Sequence, residues 1–138
     1  MQYSTAIRTA RLAAIHAALG PSPKLLLFAS PLPLDCSHPD PPNLLATLTL
    51  PTVWISDPVV SGNDVRISLV GGPWSGAASA AGAFQCFRFY DNGLTVCGFQ
   101  GTITVDTGIG NMTFPTLVVS ASEVININAF HIISGNTI

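Results

Sequence analysis

The sequence contains very little charge: Asp, Glu, Lys and Arg make up only 9% of its 138 residues, whereas an average soluble domain has about 25%. A free monomer normally covers its surface with charged side chains, which keep it soluble. A chain that omits them either has a surface rich in hydroxyl and amide groups or buries much of its surface against partners. Ser, Thr, Gly and Asn are plentiful, and large apolar residues fall at both odd and even positions of several segments, so they would lie on both faces of a strand. Both explanations therefore contribute.

Basic residues are especially few. The net charge is −2, and the five basic residues are Arg8, Arg11, Lys24, Arg66 and Arg88. A nucleic-acid interface needs a clustered basic face that neutralises phosphates. Only Arg8 and Arg11 are neighbours, one helical turn apart, so we expect no nucleic-acid partner.

Long apolar runs are also lacking. No stretch reaches the length of a membrane span, and Met1-Gln2-Tyr3-Ser4 does not begin a basic segment followed by an apolar one, as a secretory signal would. We therefore expect no membrane partner and synthesis in a reducing cytoplasm.

Cysteine is scarce and odd in number: Cys36, Cys86 and Cys97 cannot all pair within one chain. A two-residue turn at Asn92-Gly93 would place Arg88 opposite Cys97. The sulfurs of Cys86 and Cys97 would then be diagonal neighbours, a separation usually too long for a disulfide. The sequence therefore predicts three free, mostly buried thiols.

One helix is predicted, from Ser4 to Leu19. Ser4 is a suitable N-cap, alanine is abundant, and Gly20-Pro21 provides the stop signal. One side of this helix is apolar with two cations, and it carries Ile7, Arg8, Arg11, Leu12, Ile15 and Leu19. An apolar face must dock on something, either the chain's own sheet or a neighbouring subunit.

The rest of the chain reads as short strands separated by turn residues. A proline-rich loop, Pro31 to Asn43, interrupts them, because its five prolines suit neither a helix nor a central strand. The predicted strands are Lys24–Ala29, Leu44–Leu50, Val53–Ser56, Val65–Val70, Phe84–Tyr90, Leu94–Val105, Thr116–Ser120 and Val124–Ile133. Such a series predicts an all-β antiparallel sandwich or barrel. We expect a single domain over residues 1–138, with the helix at 4–19 and the β-sandwich at 24–133.

The Phe84–Gly101 segment is the best-defined hairpin, and both of its faces are substantially apolar. A strand with one wet face should alternate cleanly between apolar and polar residues. We therefore expect the second face to be covered by the N-terminal helix or by another chain.

Four potential metal ligands lie within the segment Asp35-Cys36-Ser37-His38-Pro39-Asp40. Cys36 and His38 could bind zinc, but their spacing matches no standard pattern and no second ligand cluster is apparent. The alternative is a surface loop whose Asp and Ser side chains cap turns. We favour that alternative and expect no metal or other cofactor.

No catalytic constellation is recognisable. The histidines, His16, His38 and His131, do not fall in a nucleophile motif, and no G-x-S-x-G elbow exists. All seven carboxylates lie in or next to turn signals, where Asp bonds the local backbone. We expect that the chain is not an enzyme. Trp54 and Trp74 are either core residues or interface anchors.

Several motifs resemble one group of small virion proteins of tailed bacteriophages. In that group an N-terminal helix precedes a Pro-Lys-Leu strand start, a Trp-Ser-Gly turn and a Phe-Arg-x-Tyr-Asp strand end. The matching stretches are YSTAIRTARL at 3–12, PKL at 23–25, WSGAASAAG at 74–82, FRFYD at 87–91, GFQG at 98–101 and the segment 124–136. The similarity spans nearly the whole chain, although the loop Pro31–Asn43 is longer and richer in proline than the family's pattern.

The resemblance implies a jelly-roll-like sandwich and the role of a cement, or head-decoration, protein. Such proteins bind as homodimers to the outside of the icosahedral shell and clamp neighbouring major capsid proteins, so the expected location is the capsid exterior of the virion. The candidate contact residues are Arg8, Arg11, Leu32, Leu34, Trp54 and Trp74. Two alternatives are a tail or tail-fibre-associated β-sandwich and a carbohydrate-binding module in which Trp54, Trp74 or Tyr90 stacks on sugar.

Overall fold

The computed structural model describes residues 1–62, 64–108 and 110–134. Its one described helix, α1, spans Thr5–Leu19. The Ser4 hydroxyl accepts a hydrogen bond from the backbone N–H of Ile7 at 3.3 Å, as expected of an N-cap. Gly20 ends the helix with a φ of +69° and donates its N–H to the carbonyl of His16. The predicted helix is confirmed.

Helix α1 packs on its own chain. Leu12 and Leu19 belong to the main apolar core and are each 3% exposed, and Arg8 is buried beside them. Ile7 is 50% exposed, so its predicted place on the buried side is wrong. The helix therefore turns a narrow stripe towards the core and leaves most of its surface to solvent.

The strands are short. In chain order they are β1 Lys24–Phe28, β2 Leu44–Thr49, β3 Val59–Ser61, β4 Asp64–Ser68, β5 Trp74–Ala77, β6 Gly82–Ala83, β7 Cys86–Tyr90, β8 Cys97–Val105, β9 Met112–Phe114, β10 Val118–Val119, β11 Val124–Ile127 and β12 His131–Ser134. The predicted strand at Val53–Ser56 is wrong, because only Ile55 forms a bridge, to Leu69. Asn63, Ile109 and the Gly135-Asn136 part of the family pattern lie outside the described residues.

These strands form one five-stranded sheet, in the order β2-β1-β7-β8-β9, together with the three-stranded sheet β12-β4-β3 and the pairs β11-β5 and β10-β6. All described pairs are antiparallel except β8 with β9, which is parallel. The expected Trp-Ser-Gly turn is instead part of strand β5, which pairs with β11. The predicted all-β, sandwich-like fold with one N-terminal helix is confirmed.

An aromatic cluster centred on Phe89 fills the core. The centroid of its ring lies 5.8 Å from that of Trp54, 6.1 Å from Trp74, 4.3 Å from Phe99 and 5.5 Å from Phe130. Aromatic side chains bury large apolar areas and dominate core energetics. Trp54 and Trp74 are 0% and 1% exposed, so both are core residues.

The β7–β8 hairpin has a different register from the predicted one. Arg88 pairs with Gln100, and Cys97 pairs with Tyr90, whereas the sequence placed Arg88 opposite Cys97. The observed partner of Arg88 therefore lies three residues further along the chain than the predicted one. An odd shift exchanges the faces on which side chains lie, so Phe99 joins the core beside Phe89.

The Asp91 side chain accounts for this difference. Its carboxylate accepts hydrogen bonds from the backbone N–H groups of Thr95 at 2.7 Å and Val96 at 2.8 Å. These bonds order a loop from Asp91 to Val96 that is longer than a two-residue Asn-Gly turn. Gly98 is then the extra residue of a bulge, since Tyr90 pairs with Cys97 and Phe89 pairs with Phe99.

Candidate functional site

The proline-rich loop, Pro31–Asn43, lies against the face of the five-stranded sheet that points away from the main core. Arg88, in the middle of β7, is on that face and is 0% exposed because the loop covers it. A second apolar cluster of Leu26, Phe28 and Cys86 occupies the same face. The expectation that the helix or another chain covers this face is therefore wrong: the chain covers it with its own loop.

The loop is held by side chains of the sheet. Its prolines have no N–H group, so carbonyl groups of the loop need donors from elsewhere. Gln100 donates to the carbonyl of Pro33 at 2.8 Å, and Arg88 donates to those of Asp35 at 3.1 Å and His38 at 2.9 Å. These bonds fix the backbone of the loop without constraining most of its side chains.

A charged network adds to the hydrogen bonds by which Arg88 and Gln100 hold the loop. Arg88 donates to the carboxylate of Asp40 at 3.0 Å and to the hydroxyl of Tyr90 at 3.2 Å, and Tyr90 donates to the same Asp40 oxygen at 2.5 Å. Burial alone would lower the pKa of Arg88, but its bonds with Tyr90 and Asp40 outweigh burial and raise it. Burial and then the bond with Asp40 raise the pKa of Tyr90. Arg88 is thus a fully paired buried cation.

Gln100 orients the guanidinium from the neighbouring strand. Its side-chain oxygen accepts from Arg88 Nε at 3.0 Å, while its side-chain nitrogen reaches Pro33. Since both polar atoms of the amide have partners, Gln100 links β8, β7 and the loop in one chain of hydrogen bonds.

Asp35 caps a turn in the loop, as the structural interpretation predicted. Its Oδ1 accepts from the Ser37 N–H at 2.8 Å, from the Ser37 hydroxyl and from the His38 ring at 3.0 Å. The bond from the Ser37 side chain, followed by that from His38, holds the pKa of Asp35 well below its usual range. Within residues 1–62, 64–108 and 110–134, no group of three or more His, Cys, Asp or Glu side chains could hold a metal. The expectation of no bound metal stays a prediction.

All three cysteines are free thiols. Only Cys86 is buried, so the prediction of mostly buried thiols is wrong for Cys36 and Cys97, which are half-buried. Burial raises the pKa of Cys86. Burial and then the interaction with the Cys36 thiol raise the pKa of Cys97 to about 12. The predicted two-residue turn placed Cys97 near Cys86, so it gave no indication that Cys97 lies near Cys36.

The loop presents apolar side chains to solvent. Leu34 is 85% exposed and Leu32 is 37% exposed, although the backbone around them is anchored. An exposed leucine on an ordered loop loses little conformational freedom when a partner covers it. Both candidate contact residues of the loop are therefore available at the surface.

The two arginines of α1 differ. Arg8 is 4% exposed and donates to the carbonyl of Ser134 at 3.2 Å and to the Thr5 hydroxyl at 3.4 Å. Arg11 is exposed, and its guanidinium lies 5.0 Å from the centre of the Tyr3 ring. Arg8 is therefore held by its own chain, whereas Arg11 is available to a partner.

The aromatic residues considered for sugar binding do not form a platform. Trp54 donates its ring N–H to the carbonyl of Gly20 and Trp74 donates to that of Val70, both inside the fold. Neither offers a surface to a partner of the folded chain. Tyr90 is half-buried and bonded to Asp40. We therefore leave both tryptophans out of the candidate interface.

The histidines are dispersed. The ring of His16 packs edge-on against that of Trp54, with 6.0 Å between the ring centroids. His38 forms a hydrogen bond with Asp35 in the loop, and His131 is the first residue of β12. The expectation that the chain is not an enzyme stays a prediction. The helix among the described residues is too short to cross a membrane.

Sequence reasoning missed the Arg88 anchor. It treated Arg88 as one of five scattered cations and assigned Asp40 to a generic turn. One signal was available: an arginine between two phenylalanines in a strand-length apolar run has to find partners when it is buried. What the sequence did not show is that the partners lie about fifty residues earlier.

No protein-family model, curated protein or solved structure matches this chain.

Proposed function

We propose that this chain is a structural virion protein that binds the outside of a phage capsid and stabilises contacts between major capsid proteins. The observation that carries the proposal is the anchored loop, in which Leu34 is 85% exposed while Arg88, which binds carbonyl groups of the loop, is 0% exposed. A loop ordered in advance can engage a partner with little further loss of entropy. This arrangement suits a protein that acts through surface contact.

The composition supports the same function. Charged residues make up only 9% of the chain, and several aliphatic side chains away from the loop are also more than half exposed. Among them are Val53, Val59 and Val60. A lattice repeats each contact many times, so weak individual contacts sum to a large stabilisation. A ligand that binds only the assembled lattice stabilises that lattice by mass action.

Binding to undecorated heads tests the proposal. Wild-type protein should co-sediment with heads that lack it, and Leu34→Ser should bind at least tenfold more weakly, because a buried leucine contributes about 1.5–3 kcal/mol. Val118→Ser is the matched control: Val118 is 67% exposed but lies on β10, outside the loop. It should bind as the wild type does.

The outcomes separate the parts of the proposal. Failure of the wild-type protein to bind heads would remove the cement assignment. Wild-type binding with equal affinity for both variants would retain the assignment and remove the loop from the interface. Density for the protein on the tail in a virion reconstruction would replace the capsid with the tail as its location.

A further inference from the structure

Cys36 is held in place from both sides. The carbonyl of Asp35, one residue before it, accepts from Arg88 at 3.1 Å, and that of His38, two residues after it, accepts from Arg88 at 2.9 Å. A single buried guanidinium therefore brackets Cys36. The bracket fixes this part of the loop over the face of β7 that carries Arg88.

Cys97 lies on the same face. It pairs with Tyr90 across the hairpin, and paired residues of antiparallel strands project to the same side. The Tyr90 hydroxyl in turn bonds Asp40 of the loop. The Cys36 thiol lies near enough to Cys97 to help raise its pKa, while the Cys97 thiol donates to the carbonyl of Phe99 at 3.9 Å. Both cysteines are half-buried and therefore partly open to solvent.

We propose that Cys36 and Cys97 form a modification site, which a small-molecule disulfide such as oxidised glutathione converts into an intrachain disulfide. The inference does not depend on the proposed capsid role. In a reducing cytoplasm both residues stay thiols, and the bond forms where such oxidants accumulate.

The reaction proceeds by two exchanges. The Cys36 thiolate attacks one sulfur of oxidised glutathione, which forms a mixed disulfide and releases one glutathione thiolate. Cys97 then loses its proton to solvent and attacks the Cys36 sulfur, which releases the second glutathione. Two protein thiols are oxidised to one disulfide, and one oxidised glutathione is reduced to two thiols. Because its pKa is raised to about 12, Cys97 is a weak nucleophile at neutral pH, and the second exchange is faster at higher pH.

Cys86 is not part of this site. It is 0% exposed and pairs with Thr102. It lies four residues from Tyr90 along β7, which is about 13 Å in a strand, while Cys97 lies opposite Tyr90. This distance between Cys86 and Cys97 is too long for a disulfide bond.

The cross-link would fasten the middle of the loop to the sheet. It would add a covalent bond to the anchor that Arg88 and Gln100 provide. A disulfide that closes a loop of this length restricts the unfolded chain strongly, so oxidation should raise the midpoint of thermal unfolding by roughly 10 °C, reversibly with a reductant.

Peptide mapping tests the pairing without ambiguity. Cleavage after Lys24, Arg66 and Arg88 places one cysteine in each of three tryptic peptides: residues 25–66, residues 67–88 and the peptide that begins at residue 89. After incubation of the native protein with oxidised glutathione, the first and third should be joined and the second should keep a free thiol. The intact mass should fall by about 2 Da, because the cross-link removes two hydrogen atoms and adds no glutathione.

Three variants complete the experiment. Cys86→Ala should form the same cross-link, whereas Cys97→Ala should stop at a stable glutathione adduct on Cys36 and Cys36→Ala should give no intrachain bond. A wild-type protein that accumulates the Cys36 adduct, joins Cys86 to another cysteine or forms disulfide-linked dimers would overturn the proposal. Circular dichroism of each reduced variant establishes that the fold is retained.

Discussion

Gly98 lies directly beneath Leu19, so closely that a Cβ atom on Gly98 would come within 2.5 Å of the Leu19 side chain. Leu19 is the last residue of α1 and is 3% exposed. The end of the helix therefore rests on the bulge of β8, where the absence of a side chain on Gly98 makes room for it.

The first prediction concerns this contact. Gly98→Ala should lower the free energy of unfolding by about 1–3 kcal/mol, because added volume in a packed site forces neighbouring atoms to move. Gly93→Ala is the matched control, since a Cβ atom there would meet nothing closer than 3.7 Å. Urea unfolding of both variants provides the measurement, and equal stability of the two would contradict the described packing.

The second prediction concerns the anchor of the loop. Arg88→Met keeps an unbranched stem but removes the hydrogen bonds to the carbonyls of Asp35 and His38. We expect a loss of about 3 kcal/mol in urea unfolding, because charge-assisted bonds from a buried group are lost together.

The control for that variant is Arg11→Met, at an exposed position on α1. It should change the unfolding free energy by less than about 1 kcal/mol, since its contact is an exposed one with an aromatic ring. Proteolysis by an Asp-specific protease gives a second measurement for Arg88→Met: cleavage at Asp35 and Asp40 should become faster. An unchanged cleavage rate would indicate that Arg88 does not order the loop.

The third prediction is a pH dependence at Asp91. The hydrogen bond from the Thr95 side chain, with that from the Val96 N–H, lowers the pKa of Asp91 below its usual value, which is about 3.9 in an unfolded chain. A lowered acid pKa stabilises the fold above about pH 4, and this contribution is lost as the pH falls through the folded-state pKa.

Asp91→Asn does not titrate in that range. The difference in unfolding free energy between wild type and variant should therefore be largest near neutral pH and should shrink below about pH 4. Urea unfolding at a series of pH values from 7 to 2 tests this expectation. A difference that grows as the pH falls would have the wrong sign for a lowered pKa.

The fourth prediction concerns assembly. We expect a homodimer, because the surface carries few charges and several exposed aliphatic side chains. Sedimentation or light scattering at micromolar concentration should give about twice the chain mass of 14.4 kDa. A monodisperse, soluble monomer under those conditions would contradict it.

Local signals in the sequence predicted much of the fold. The Ser4 cap and the Gly20-Pro21 stop defined α1 to within one residue at each end, because capping depends on neighbours in the chain. Apolar runs such as Leu44–Leu50 also became strands. The missed strands are short, and β5 and β6 consist largely of Gly, Ala and Ser, which do not signal a strand.

The candidate site was harder to predict because it depends on distant contacts. The register of the hairpin depended on hydrogen bonds of the Asp91 side chain, which a turn motif does not specify. The partners of Arg88 lie in a loop without periodicity, so no pattern linked them to β7. Leu34, by contrast, was among the candidate contact residues, and it is 85% exposed.

The way Arg88 and Gln100 hold the loop has a consequence for how the sequence can evolve. Three of their bonds go to the backbone carbonyls of Pro33, Asp35 and His38, and every amino acid carries such a carbonyl. Side chains that point outward, such as Leu34, can therefore be exchanged without releasing the loop. The same scaffold could follow a changing partner by substitution at these outward positions, while the arginine and glutamine beneath them stay the same.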